Sequence, residues 1–104
     1  RVAALEDFRR RQARRAYLPP PLFSEYGWDI LLILFADADR GLRHNVTTVA
    51  LRVNAPVTTA VRWLDYLEQR GLIKREPNEI DRREVLVVLT TDGERALMSY
   101  FETM

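Results

Sequence analysis

The chain contains no cysteine, and that one absence removes disulfide bonds, thiolate zinc sites and thiol-based redox sensing together. Glycine is scarce at 4 residues, and none are grouped as a phosphate-cradling loop would need. With cysteine absent and no such loop, no set of nucleophile, base and orienting group is apparent around the single histidine, His44, and an enzyme is not expected. Long apolar runs are also missing: the longest, Ile30 to Ala36, falls far short of the roughly 20 residues that span a bilayer. No secretory leader is visible, and a soluble cytoplasmic protein is the default expectation. The chain opens on Arg1 and not methionine, as an excerpt of a longer protein would.

What remains is a composition of 47% hydrophobic and 30% charged residues over 104 positions, which suits one domain with a modest core. The net charge of +1 argues at first against a polyanionic partner. Its distribution argues otherwise. Residues 1–17 hold six arginines against two acids, whereas residues 18–46 hold two against four. Residues 47–90 balance seven basic against six acidic side chains, and residues 91–104 are net acidic.

Leu5, Phe8, Gln12 and Ala16 recur at helical spacing, which predicts an Arg-rich helix over residues 1–17. Pro19, Pro20 and Pro21 end it in a stiff connector over residues 18–23, and residues 24–104 are expected to form the core of the single domain 1–104. Ser24 can cap a second helix whose Trp28, Leu31, Leu32 and Phe35 form one apolar face, closed by Gly41 with Arg40 near its negative end. Arg43 to Val46 is short and extended, a candidate minor strand. Trp28 and Trp63 fall on apolar faces and are expected in the core.

From Thr47 to Thr90 the order is helix, tight turn, helix, hairpin. Thr47 is a plausible N-cap for residues 48–53, and Asn54 tolerates the left-handed backbone that a sharp turn requires. A second helix, 57–70, starts near Pro56 and stops at Gly71. Ala60, Trp63, Leu64 and Leu67 give it a core face, leaving Thr58, Thr59, Val61, Arg62 and Asp65 on or beside the other. Leu72–Arg75 and Val85–Leu89 form the hairpin, with Arg82 and Arg83 at its tip. Of Lys74 and Arg75, at least one must point away from the tip's partner, because strand residues alternate faces. Thr90 or Thr91 caps a last helix, Thr91 and Glu94 standing at capping-box spacing and Leu97, Met98 and Phe101 supplying the apolar face. The fold expected is α+β and mainly helical: a winged helix-turn-helix with a two- or three-stranded wing sheet, flanked by N- and C-terminal helices.

The stretch Leu67-Glu68-Gln69-Arg70-Gly71-Leu72-Ile73 resembles the junction of recognition helix and wing in the MarR family of winged-helix regulators. Asp81-Arg82-Arg83 followed by an apolar strand and Leu89-Thr90-Thr91-Asp92-Gly93 resembles that family's wing, D-x-R then L-T-x-x-G. The resemblance covers roughly residues 28–98. It implies sequence-specific binding of double-stranded DNA by a transcriptional regulator, with helix 57–70 in the major groove and wing 76–84 at the minor groove. The contact set it implies is Thr47, Pro56, Val57, Thr58, Thr59, Arg62, Arg82 and Arg83, with Asp81 steering Arg83. It also implies a homodimer, and it neither identifies nor excludes a small-molecule effector; no cofactor and no membrane partner are expected. Three features depart from the family: a last helix of only about four turns, Pro56-Val57 without a serine before the proline, and the triple-proline connector.

The plainer readings are an exposed helix face at Thr58, Thr59 and Arg62 and a solvated hairpin tip at Arg82 and Arg83. Arg9, Arg10, Arg11, Arg14 and Arg15 could grip phosphate or simply face solvent. Asp37, Asp39 and His44 could be imagined around a metal, but no spacing fixes them together, and helix-end acids and a lone imidazole are usually solvated. A protein-interaction module and a non-specific nucleic-acid binder led by the N-terminal arginines are the alternative functions.

Overall fold

The structure is a computed structural model that describes residues 1–17 and 26–102; the side chains of residue 11 and residues 13–17 lie outside that description. The triple-proline connector and the Ser24 cap therefore fall outside the described residues. Five helices and one hairpin follow in order: α1 (Val2–Tyr17), α2 (Tyr26–Ala38), α3 (Val46–Val53), α4 (Val57–Gln69), β1 (Ile73–Pro77), β2 (Val85–Leu89) and α5 (Thr91–Glu102). This is the mainly helical winged architecture expected. No helix among the described residues is long and apolar enough to cross a membrane.

Helix α2 is the centre of the molecule. Its expected one-sided face proves too narrow: Ile30, Ile33, Leu34 and Ala36 are buried along with Leu32 and Phe35, while Trp28 and Leu31 are only half-buried. The cause is that α1, α3, α4 and β2 all pack on it, so burial spreads around most of its circumference. Ala4 and Phe8 of α1 join the same buried cluster as Val49, Val53, Leu64, Ile73, Val87 and Leu97. Trp28 and Trp63 are partly buried and packed against that cluster instead of lying within it. Trp28 meets Tyr100 edge-on at 5.1 Å and donates from Nε1 to Asp7 Oδ2 at 3.2 Å.

The cap of α3 differs from expectation. Asn45, not Thr47, caps α3: its side chain accepts from the Thr48 amide at 2.8 Å, and Thr48 Oγ1 accepts from the Asn45 amide at 2.8 Å. That reciprocal box consumes the residue just before the helix. Asn45 and Val46 are thus taken by the cap and the helix, and of the remaining Arg43 and His44 only His44 forms a bridge, to Val87, where a minor strand was expected. Thr90, one of the two caps expected, caps α5, accepting the Gly93 amide at 2.9 Å while donating to the Gly71 carbonyl at 2.6 Å. Glu94 does not complete a box with Thr91; its carboxylate pairs with Arg1.

The antiparallel hairpin runs in register from Ile73 opposite Leu89 to Pro77 opposite Val85. Its base is pinned to α5 by close backbone contact. A Cβ on Gly93 would stand 2.1 Å from the Leu72 carbonyl oxygen, which itself accepts from the Thr90 amide at 3.1 Å. Only glycine fits there.

Candidate nucleic-acid interface

The turn between α3 and α4 is set by Asn54, whose φ of 60° and ψ of 45° are left-handed as expected. Its amide and that of Ala55 close back on the end of α3, Ala55 donating to the Ala50 carbonyl at 2.9 Å. Pro56 is then the N-cap of α4 and offers no side-chain cap, so the first-turn amides point outward with the positive end of the helix dipole. Groups of this kind attract anions.

Helix α4 is anchored on one side and presented on the other. Ala60 and Leu64 are wholly buried and Leu67 nearly so; burying a leucine of this kind stabilises by ~1.5–3 kcal/mol. Trp63 lies against Gly27 of α2, where a Cβ would stand 2.6 Å from its ring. Thr58, Arg62, Asp65 and Gln69 are exposed along the opposite stripe, with Thr59 and Val61 half-buried beside it. Pro56 and Val57 are exposed at the start of α4, and Thr47 is exposed in the first turn of α3. The structure thus puts every expected helix-turn-helix contact residue at the surface except Thr59, which is half-buried.

At the wing, Asn78 Oδ1 accepts from the amides of Ile80 at 2.9 Å and Asp81 at 3.4 Å. Asp81 Oδ1 accepts from the Arg83 amide at 3.1 Å and from Arg83 Nε at 3.2 Å. The Arg83 side chain nevertheless stays 92% exposed. Asp81 therefore fixes the root of that arginine without covering its head. Arg82 is exposed beside it.

The segment's remaining cations have internal occupations. Arg75 reaches back from β1 to Asp65 at 3.0 Å and Glu68 at 3.1 Å, both on α4. Arg43 and Lys74 share Glu76, Arg52 lies 3.5 Å from Asp37, and Arg70 lies over the Tyr66 ring. Among the described residues, Arg62 and Arg82 have no ion-pair partner. Arg75 was missed by the sequence reading as a tie between helix and wing. Asn45 makes a second such tie, donating from Nδ2 to Glu84 Oε1 at 3.0 Å.

Asp37 and His44 were expected in solvent, and this is corrected. Asp37 is fully buried, and His44 Nε2 lies 2.8 Å from its Oδ2. Asp39 instead pairs with Arg1. The three do not meet: among the described residues no three His, Asp or Glu side chains gather as a metal site would need. Of the N-terminal arginines, Arg9 and Arg10 are exposed, and Arg10 is 4.0 Å from Asp7; the side chains of Arg11, Arg14 and Arg15 lie outside the description.

A concavity of about 760 Å³ beneath the wing is lined by Glu76, Glu79 and Glu84 against Arg43. That excess of carboxylate makes it a poor seat for phosphate, in contrast to the arginines of the tip.

Residues 39–85 match the model of the MarR family. The chain is 33% identical over 57 residues to YfiV, an uncharacterized HTH-type transcriptional regulator of Bacillus subtilis (strain 168), covering 55% of this chain and 36% of that protein. Among solved structures it is similar to the transcriptional regulator BldR of Sulfolobus solfataricus, with TM-score 0.58 at 27% identity over 70% of this chain and 51% of that one. AbfR of Staphylococcus epidermidis gives TM-score 0.61 at 25% identity, over 77% and 50%. The chain spans about a third to a half of the length of these relatives.

Proposed function

We propose that this chain is a MarR-like transcriptional regulator, not an enzyme, that reads double-stranded DNA by sequence; the match of residues 39–85 to the MarR family model supports this reading. Helix α4 enters the major groove, where Thr58, Thr59 and Arg62 meet base edges and phosphates. Thr47, Pro56 and Val57 line the approach to the backbone. The wing, residues 76–84, lies at the adjacent minor groove, whose narrow, electronegative stretches suit an arginine. There Arg83 makes the contact, oriented by Asp81, with Arg82 beside it.

One observation carries this reading. Between Arg43 and Arg83, Arg62 and Arg82 have no ion-pair partner among the described residues, and the Arg83 side chain stays 92% exposed despite its bond to Asp81; all three sit on the exposed face of α4 or at the wing tip. A solvated helix and a solvated hairpin would have no cause to share that pattern.

As a two-fold dimer, the chain would set its two α4 helices about 34–36 Å apart on one face of the duplex. A cytoplasmic location and a small-molecule effector fit the same role. Binding to random and selected duplexes across a salt series tests the proposal. The expected result is a steep loss of affinity with salt together with a clear preference among sequences. Binding indifferent to salt, or none at low salt, overturns it.

A further inference from the structure

We infer that Ile80 is the apolar probe of the wing, inserted against the minor-groove floor between the contacts of the tip arginines. The inference rests on the DNA-binding reading above and goes beyond its polar contact set.

Ile80 is 98% exposed, more than any other large hydrophobic residue described; Leu51 follows at 76% and Val2 at 73%. A lone surface isoleucine is ordinary by itself. Position, rigidity and neighbours set this one apart. It stands in the apical loop of the hairpin, beyond the last strand pair of Pro77 and Val85. The loop holds it out: Asn78 Oδ1 accepts its amide at 2.9 Å, and the Glu84 amide closes on the Asp81 carbonyl at 3.0 Å. Its neighbours two and three residues on are the exposed Arg82 and Arg83.

A hairpin tip that carries two guanidinium groups is drawn to a phosphate-walled groove, and an isoleucine fixed in that tip is carried in with them. The groove's walls are sugar C–H groups, and apolar side chains, isoleucine included, wedge against its base steps in proteins that bend DNA. A β-branched side chain has few rotamers to lose on contact. Glu79 next to it offsets part of the tip's positive charge, so non-ionic contact must supply part of the affinity there.

The test uses the whole chain and a duplex selected by it from a random pool, with binding followed by fluorescence anisotropy across a salt series. Ile80→Ala is expected to bind about tenfold more weakly, the loss that goes with exposing an isoleucine-sized surface. Its salt slope stays that of the unmodified chain, because no counterion is released at this contact. Ile80→Met, which keeps an apolar side chain of similar size, restores binding to within about threefold. End-labelled duplex should report less bending with Ile80→Ala than with the unmodified chain.

Equal affinity of Ile80→Ala and the unmodified chain overturns the inference and leaves the DNA-binding reading intact. A lower melting temperature for Ile80→Ala also overturns it, since a 98% exposed side chain should not hold the fold. If the unmodified chain binds no duplex in a salt-dependent way, the DNA-binding reading falls first and this inference with it.

Discussion

Helix α4 and the wing tip face the same task with opposite kinds of support. The helix is fixed from behind by packing: Ala60, Leu64 and Leu67 are buried, and Trp63 rests on Gly27. The tip has no buried hydrophobic residue between Pro77 and Val85 and is shaped by side-chain bonds from Asn78 and Asp81. Packing resists displacement over the whole element, whereas single polar bonds at an exposed site contribute about 0.5–1.5 kcal/mol each. Packing thus holds the helix from behind, while the tip's shape is held by its own polar bonds. Arg75 joins the two, bonding from β1 to Asp65 and Glu68 of α4.

The largest expected effect comes from breaking the wing's base. Gly93→Ala places a methyl 2.1 Å from the Leu72 carbonyl, so the hairpin and α5 must part; urea denaturation should show a loss of at least ~3 kcal/mol. A wild-type midpoint would show that the base is not fixed by that contact. Next, Arg62→Ala should leave the melting temperature unchanged and cost ~1–3 kcal/mol in affinity for a selected duplex, with relaxed preference at one base pair. A smaller loss with intact preference would make Arg62 a phosphate contact. Arg75→Ala cuts the tie between the two regions. Its partners are roughly half exposed, so stability should fall by only ~1 kcal/mol or less, yet affinity should fall too as Asp65 and Glu68 are left uncompensated on the reading helix. Unchanged affinity would mean that helix and tip act separately. The smallest overall effect is that of Arg83→Ala, with stability within about 0.5 kcal/mol of the unmodified chain. Its mark is a salt slope reduced by about one, equal for all sequences. An unchanged slope would remove the wing from the interface.

The sequence made the helix-turn-helix legible because its signals are local. Asn54 declares its turn, Ala60, Leu64 and Leu67 keep helical spacing, and Val85 to Leu89 is an unbroken strand-forming run. The exposure of Thr58, Arg62 and Asp65 followed from the same periodicity. What escaped depends on neighbours distant in the chain. Asp37 reads as a helix-end acid, and only the fold shows His44 and Arg52 gathered around it. Arg75 reads as a strand residue of uncertain face until β1 is laid beside α4. The breadth of burial on α2 follows from four surrounding elements and is written in none of their sequences. Thr47 lost the cap to Asn45 by two positions. The signal was there, since Asn45 and Thr48 stand three apart, but two adjacent threonines obscured it.

The separation of anchoring from reading on α4 has a practical meaning. The buried side chains that hold the helix, Ala60, Leu64 and Leu67, share no position with Thr58, Thr59 and Arg62. The helix thus behaves like a type slug in a press: its shank is locked in the frame while its face can be recut. Libraries confined to the exposed Thr58 and Arg62 should yield folded proteins throughout, so that, under the proposed function, new operator preferences could be selected without first repairing stability.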